Sequence, residues 1–262
     1  GLGNGWNIET IKHIFSFIPK IKLNNLKVLS LFDGISGGQV SLRGIGANIT
    51  TYLASEIDKH AIANTMHNFP NTIQLGSVTE LNVDEIVEKY GVPDIVIGGS
   101  PCQSFSFSGK MKGMSTKSGE EIYTLERYLE LKSQGFQFEG QSYLFWEYMR
   151  ILTELRKYNP DIYFFLENVK MLEKWERCLS HAIGVRGVHI NSALVSAQNR
   201  RRIYWTNIRT KPSIGDSLFY DESDPFAWPP LEVDIPQPED RGIVIKDILQ
   251  EEADEKYYLK SD

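Results

Sequence analysis

LKVLSLFDGISGG, residues 26–38, is the stretch that decides the fold. It begins as a short apolar run of strand-forming residues and ends in a turn that contains Gly34, Gly37 and Gly38. Glycine lets the backbone turn tightly and lets a ligand approach it closely. The residues that follow, VSLRGIGANIT, have the pattern of a helix and a turn. The stretch predicts a strand, a ligand-binding loop and a helix, although the glycines alone are equally consistent with a plain strand-to-helix turn.

A carboxylate follows at the end of the next strand. TTYLASEID, residues 50–58, is an apolar run that closes with two acids, and Glu56 is the first of them. A carboxylate at this distance from a glycine-rich loop suits the two hydroxyl groups of a ribose. Because the loop has no GxGxxG pattern, the spacing favours a nucleoside cofactor over a dinucleotide.

Strands alternate with helices along the rest of the chain. PDIVIGGSPC (residues 93–102) and DIYFFLENV (161–169) are further apolar strands, and VHINSALVSA and RRIYWTNI supply shorter ones. HAIANTMHNF and SYLFWEYMRILTELRKY (142–158) have helical spacing. This alternation predicts an α/β fold with a mostly parallel, doubly wound sheet. Ligands bind there beyond the carboxyl ends of the strands.

Chemically capable residues stand at those strand ends. Cys102, in GGSPCQSFSFSG, is a candidate nucleophile if positive charge or a helix amino terminus lowers the pKa of its thiol, the alternative being a buried structural cysteine. Cys178, on a helical pattern, is predicted to be structural. Glu167, in FFLENV, is costly to bury unless it has a partner, and a raised pKa would make it a hydrogen-bond donor or general acid.

QNRRR adds alternating basic residues. Arg200 and Arg202 are predicted to point to one face of a strand and Arg201 to the other. Two arginines on one face suit a phosphate or a polarised carbonyl oxygen, and the alternative is a solvated basic edge.

Composition sets further bounds. The chain has 262 residues, 41% of them hydrophobic and 24% charged, and a formal net charge of −6. No apolar run approaches the length of a membrane helix, and the residues before Pro19 lack the pattern of a signal peptide, which favours a cytoplasmic protein. The five histidines form no HxxxH or HExxH pattern, so no metal is predicted. The negative charge does not favour nucleic acid binding, so any such role must rest on local patches or a second component.

Five motifs in this order resemble the DNA cytosine-5 methyltransferases, particularly bacterial and phage members. DGISGG is similar to the cofactor loop of the family, SEID to its ribose-binding acid, SPCQSFSFSG to its nucleophile loop, LENV to its catalytic glutamate segment and QNRRR to its QxRxR signature. The resemblance runs from about Val28 to Ile208. It implies a Rossmann-like fold, S-adenosylmethionine as cofactor and S-adenosylhomocysteine as product. It also implies double-stranded DNA as substrate, a role in restriction-modification and association with the nucleoid.

The resemblance also implies a covalent mechanism. Cys102 would add to C6 of a flipped-out cytosine, Glu167 would hydrogen-bond at N3, and C5 would take the methyl group. Arg202 would contact the base O2 and Arg200 the region of the nucleophile. The implied cofactor residues are Asn4, Gly5, Trp6, Phe32, Asp33, Gly34, Ser36, Gly37, Glu56, Ile57, Ser77, Val78, Pro101 and Leu144. The implied DNA-binding residues are Ser104, Lys110, Lys112, Gln198 and Arg201.

Two departures from the family pattern stand out. Ser77 occupies the position of an Asp that accepts the adenine amino group. After QNRRRIYWTNI the acidic, Pro-rich residues 210–262 are predicted to be a linker or partly ordered tail, or a truncated start of the target-recognition region. Target recognition would then come from this tail, from sequence outside this chain or from a partner.

The first residues resemble the last motif of the family. GLGNGWNIETIKHIF has its Gly-Asn-Gly turn followed by a helix capped by Asn7 and stopped by Pro19. Residues 1–20 are therefore predicted to pack on the catalytic domain of residues 26–209 as in a circular permutation, or else to be a plain packing helix. The rival functions are a regulatory homologue without activity and a tRNA cytosine-5 methyltransferase.

Overall fold

The alternating strands and helices are present in the computed structural model, which describes residues 5–101, 114–213 and 220–249. The helices in these ranges are α1 (Ile8–Phe15), α2 (Gly37–Gly44), α3 (Lys59–Asn68), α4 (Val83–Tyr90), α5 (Leu125–Ser133), α6 (Leu144–Arg156) and α7 (Glu173–Ile183). The strands are β1 (Leu26–Leu31), β2 (Ile49–Ser55), β3 (Ile73–Gln74), β4 (Ile95–Gly98), β5 (Tyr163–Val169), β6 (Val188–Asn191), β7 (Arg201–Thr206), β8 (Thr210–Pro212) and β9 (Leu231–Val233). None of these helices has the length and apolarity that crossing a lipid bilayer requires.

Seven strands form one mixed sheet in the order β3-β2-β1-β4-β5-β7-β6. β1 to β5 pair in parallel, so the predicted mostly parallel sheet is confirmed, and β7 runs antiparallel to both of its neighbours. The parallel strands β1 to β5 have their carboxyl ends at the same edge of the sheet, which we call the carboxyl edge. Because β7 is reversed, Arg202 at its start lies opposite Val169 at the end of β5. The residues before β7 therefore join the carboxyl edge.

The central strands are apolar on both faces. All four residues of β4 are buried, and so are five of the six residues of β1. Such continuous burial is what a parallel strand covered by helices requires. α1 lies against the same core, since Ile11, Ile14 and Phe15 are fully buried and the Phe15 ring meets Phe165 of β5 at a centroid distance of 5.0 Å. The first helix is thus part of the main core.

The tail is packed along the sheet where the structure describes it. β8 and β9 form a two-stranded sheet, and the following residues run beside the edge strand β6. The Val233 amide donates to the Arg186 carbonyl at 3.0 Å, the Gln237 side chain to the His189 carbonyl at 2.7 Å, and the Arg241 amide to the Leu194 carbonyl at 2.8 Å. The described part of the tail is therefore ordered, unlike a linker, and it covers a sheet edge that would otherwise expose unpaired backbone groups.

Candidate active site

A strained turn connects β1 to α2. Phe32, Gly34 and Ser36 have φ angles of 57°, 57° and 62°, in the left-handed region that residues other than glycine rarely adopt. Side chains hold this turn in place, because Asp33 accepts hydrogen bonds from the Ser36 hydroxyl at 2.5 Å and from the Tyr52 hydroxyl at 2.8 Å. Burial raises the pKa of Asp33 against these hydrogen bonds. Asp33 and Ser36 are buried, whereas Ile35 is exposed, so the turn presents its backbone and one apolar side chain to solvent.

Glu56 lies over the same turn, as its spacing from the glycines predicts. One carboxylate oxygen accepts from the Gly34 amide at 2.8 Å, and the other accepts from the amides of Ile57 at 2.8 Å and Asp58 at 2.9 Å. Ile57 is exposed beside it. The ends of β1 and β2 therefore bring a carboxylate and a glycine amide together, with an apolar side chain next to them.

Trp6 forms a wall between two strand ends. Its side chain lies against Gly37 and Gly38 at the start of α2, and a Cβ atom placed on Gly99, just after β4, would be 2.8 Å from Trp6 Nε1. The Trp6 ring also meets Phe165 edge to face at 5.2 Å. Gly5, the first described residue, precedes it, and Asn4 lies outside the described residues. The N-terminal segment thus reaches the carboxyl edge next to the glycine-rich turn.

α1 is tied to the residues before β7. The predicted cap is confirmed, since the side-chain oxygen Oδ1 of Asn7 accepts from the Thr10 backbone amide at 3.1 Å. The Asn7 amide group donates in addition to Ser196 Oγ at 2.7 Å and to Gln198 Oε1 at 3.3 Å. Gln198, which was predicted to bind DNA, has its side-chain oxygen turned towards α1. Asn7 therefore links the beginning of the chain to the QNRRR segment.

Glu167 and two arginines form a buried cluster at the end of β5. Arg200 Nη2 lies 3.4 Å and Arg202 Nε 3.0 Å from the same oxygen, Oε1. Arg201 is exposed, so the predicted alternation of the three arginines is confirmed. Burial raises the pKa of Glu167, and the positive charges of the two arginines oppose that shift without cancelling it. The second oxygen, Oε2, would be 3.3 Å from a Cβ atom on Gly99.

Asn168 connects this cluster to the segment that leads to Cys102. Its amide donates to Ser100 Oγ at 3.0 Å and to the Ser100 carbonyl at 3.4 Å, and Asn168 is 1% exposed. Sequence reasoning missed Asn168 and the linking role of Asn7. The available signal was a second polar residue beside Glu167 in an otherwise apolar strand end. Pro101 is half-buried at the end of the described segment.

The other predicted residues divide into two groups. Ser77 Oγ lies 2.8 Å from Thr79 Oγ1 and accepts from the Thr79 amide, so it caps a short 3-10 helix at Val78–Glu80, in which Val78 is buried. Leu144 begins α6 and packs against the core. Cys102, Ser104, Lys110 and Lys112 lie outside the described residues.

Cys178 is confirmed as a structural residue. It is fully buried in α7, its Sγ donates to the Tyr123 carbonyl at 3.4 Å, and burial raises the pKa of its thiol to about 12. A thiol with such a pKa stays protonated at neutral pH and is a poor nucleophile. Among residues 5–101, 114–213 and 220–249, no three His, Cys, Asp or Glu side chains are grouped as metal ligands.

The chain is similar in sequence to a known protein family and to several curated proteins. Residues 26–139 match the family described as C-5 cytosine-specific DNA methylase. The orphan methyltransferase M.SPRI of Bacillus phage SPR is 29% identical over 265 residues, which cover 92% of this chain and 53% of the relative. The orphan methyltransferase M.Rho11sI of Bacillus phage rho11s is 27% identical over 272 residues, covering 92% and 46%. The putative type II methyltransferase M.BsuMIIP of Bacillus subtilis (strain 168) is 28% identical over 284 residues, covering 92% and 60%. The chain spans about half the length of these curated relatives.

A solved structure shares the fold. A DNMT2 mutant from Spodoptera frugiperda matches with a TM-score of 0.55 at 20% identity, over 88% of this chain and 61% of that chain. Together with the mostly parallel sheet, this similarity confirms the predicted Rossmann-like methyltransferase fold.

Proposed function

We propose that the chain belongs to the C-5 cytosine-specific DNA methylase family and that it transfers a methyl group from S-adenosylmethionine to C5 of a cytosine in DNA. The predicted resemblance to bacterial and phage members is confirmed by the family match and the phage relatives, and the use of S-adenosylmethionine with it. The observation that carries the proposal is the buried Glu167 held by Arg200 and Arg202 beside Gly99.

The residues at the carboxyl edge fit the cofactor. Glu56 offers carboxylate oxygens beside the Gly34 amide, and such oxygens suit the hydroxyl groups of a ribose. Ile57 offers an exposed apolar surface for the adenine base. Trp6 closes the opposite side, between α2 and Gly99. The bound cofactor supplies an electrophilic methyl group. Three residues, Asp33, Ser36 and Gly37, would shape the turn that contacts the cofactor. The cofactor itself would be held by Asn4, Gly5, Trp6, Phe32, Gly34, Glu56, Ile57, Ser77, Val78, Pro101 and Leu144.

Glu167 would act on the cytosine base. Burial raises the pKa of Glu167, which favours the protonated carboxyl, and because both arginines contact Oε1, Oε2 is the oxygen that would donate to N3. The Cys102 thiolate would form a bond to C6, the electron pair of the C5–C6 double bond would move into the C4–C5 bond, and the pair of the C4–N3 double bond would take the Glu167 proton at N3. C5 would then take the methyl group, whose bond to the cofactor sulfur breaks so that S-adenosylhomocysteine leaves. Water would accept the C5 proton, the Cys102 thiolate would leave C6, and N3 would return its proton to Glu167, which restores the ring. Arg202 and Arg200 would stabilise the charge that develops on the base.

The base must leave the duplex to reach Glu167, at a cost of a few kcal/mol. Ser104, Lys110, Lys112, Gln198 and Arg201 remain the proposed DNA contacts. Gln198 would serve through its amide group, since its oxygen accepts from Asn7. We retain the division into residues 1–20, 26–209 and 210–262 and the permuted order of the first segment as part of the proposal. The contacts of Trp6 and Asn7 support that order, because they bring the N-terminal segment to the cofactor side of the sheet.

Replacement of each cysteine tests the proposal. Purified protein is incubated with tritiated S-adenosylmethionine and cytosine-containing duplexes, and the products are sequenced for methylated cytosine. We expect Cys102→Ala to abolish transfer while S-adenosylhomocysteine binding stays within about twofold. Cys178→Ala is the matched control, since that thiol is buried in α7, and its turnover should be retained. Full turnover by Cys102→Ala would refute the mechanism.

Substrate choice is tested in parallel. Transfer to tRNA but not to DNA would establish the tRNA enzyme as the correct alternative. Cofactor binding with no transfer to either nucleic acid, with or without added relatives that carry a target-recognition region, would establish the regulatory homologue.

A further inference from the structure

A buried carboxylate lies away from the carboxyl edge, between α5 and α6. Glu147 of α6 is completely buried, and three groups surround it. One oxygen accepts from the Tyr128 hydroxyl at 2.5 Å and from the Lys132 ammonium, and the other accepts from Arg150 Nε at 2.8 Å. A charge out of water is stable only with such partners. The proposed reaction does not use any of these four residues.

The two cations reach beyond Glu147 to the turn that follows β3. Arg150 Nη2 donates to the Val78 carbonyl at 3.2 Å, and Lys132 Nζ donates to the Thr79 carbonyl at 3.3 Å. From the end of β2, Ser55 Oγ donates to the Gly76 carbonyl at 2.8 Å. The carbonyls of residues 76, 78 and 79 are thus all held from outside the turn.

We propose that Glu147 is a positioning residue that fixes the cofactor-binding turn of residues 76–79 through Lys132 and Arg150. The inference rests on the proposed function, which assigns Ser77 and Val78 to the cofactor. The Ser77 hydroxyl bonds within the turn, to Thr79, so it provides no anchor to the rest of the protein. The Val78 side chain is buried in the core, and the carbonyl contacts from α5 and α6 fix the backbone at residues 78 and 79.

The charge arrangement explains why Glu147 is needed. Lys132 is 37% exposed at its side chain, and without the carboxylate its ammonium gains more by turning to water than by holding a neutral carbonyl. Arg150 is 12% exposed and has Glu154 as a second partner, with 3.2 Å between Nη1 and the carboxylate. Glu154 therefore contacts Nη1 of Arg150, whereas the nitrogen that donates to the Val78 carbonyl is Nη2. Glu147 contacts both cations, so it sets the position of both carbonyl contacts.

Binding of S-adenosylhomocysteine to the full chain tests the inference, by isothermal titration calorimetry. We expect Lys132→Met and Arg150→Lys each to raise the Kd about tenfold, the loss expected for one charge-assisted hydrogen bond. Lys132→Met removes the contact to Thr79, and Arg150→Lys keeps the charge but loses the reach to Val78. Glu147→Gln should raise the Kd by at least as much. The matched control is Glu154→Gln, on the same helix and beside the same arginine, whose Kd should stay within twofold of the wild type.

Steady-state kinetics separates positioning from general damage. We expect the KM for S-adenosylmethionine to rise in Lys132→Met and Arg150→Lys while kcat and the KM for DNA change less than twofold. Thermal unfolding verifies that each variant is folded, and the two single-cation variants decide the question if Glu147→Gln does not fold. Unchanged Kd values in these variants, or equal losses in kcat and in the KM for DNA, would overturn the inference. A wild-type chain that fails to bind S-adenosylhomocysteine would refute the proposed function itself and this inference with it.

Discussion

Replacing Asn7 by serine separates two tasks of one side chain. Serine caps helices about as well as asparagine, so α1 keeps its cap. Serine is too short to replace the amide group that reaches Ser196 Oγ at 2.7 Å and Gln198 Oε1 at 3.3 Å. The variant therefore removes the link between α1 and the QNRRR segment and leaves the helix otherwise intact.

The structure sets the size of the effect. The lost contacts are partly buried, and Ser196 Oγ keeps its own hydrogen bond to the Ser192 carbonyl at 2.9 Å. The expected loss is therefore that of one net hydrogen bond, about 1 kcal/mol of unfolding free energy. For a chain of this size, that lowers Tm by roughly 2–4 °C. Trp6, which forms the wall beside the cofactor, is the preceding residue. If the same ~1 kcal/mol is lost from the binding free energy of S-adenosylhomocysteine, its Kd rises about fivefold.

Urea unfolding and calorimetric titration measure the two effects. Asn82→Ser is the matched control, because Asn82 caps α4, another eight-residue helix, and its side chain bonds exposed groups in the first turn of that helix. We expect that control to lose less than about 0.5 kcal/mol and to bind S-adenosylhomocysteine as the wild type does. Equal losses of stability in the two variants, or an unchanged Kd in Asn7→Ser, would refute the reasoning.

Two further predictions concern the wall between Trp6 and Glu167. Gly99→Ala places a methyl group 2.8 Å from Trp6 Nε1 and 3.3 Å from Glu167 Oε2, so we expect kcat to fall more than tenfold, at an overpacking cost of about 1–3 kcal/mol. Gly44→Ala, whose added methyl group has the flexible Lys12 side chain as its nearest neighbour, should keep full activity, and equal kcat values in the two variants would contradict the prediction. Burial raises the pKa of Glu167 above its ordinary value of 4.5, so the folded protein holds that proton more tightly than the unfolded chain. The stability of the wild type relative to Glu167→Gln should therefore be highest below pH 4.5 and fall as the pH rises through the raised pKa. Urea midpoints of both proteins across that range measure it, and a difference that grows in favour of the wild type with rising pH would contradict it.

Local patterns in the sequence predicted the fold and part of the site. The glycines of residues 34–38 and the acid at position 56 come together because both follow parallel strands of one sheet. Arg200 and Arg202 share a side because side chains alternate along extended backbone. In each case the period of the strand, or its direction, determines where the residue lies.

Contacts between distant parts of the chain could not be predicted in this way. Asn7 and Ser196 are 189 positions apart, and no periodicity links them. Glu147 occupies a position in α6 that helical spacing assigns to the core. Its partners Tyr128 and Lys132 lie on α5, and Arg150 of α6 connects it to the turn at Val78. The tail has a linker-like composition, yet Val233 and Ile235 are buried, and Arg186 stacks on Trp228 at 4.4 Å. Few apolar residues are enough when an open sheet edge provides backbone partners.

The course of the tail along β6 has a consequence for attaching other segments. β7 ends at Thr206, opposite Phe165 near the start of β5, so the chain leaves the sheet on the side away from Glu167. The following residues pass Arg186, His189 and Leu194 in turn and thereby travel back along the whole length of the edge strand. The tail thus brings the chain back to the carboxyl edge. A module joined after Arg241 starts on the side of the sheet that holds Glu167, whereas one joined directly after Thr206 starts on the opposite side.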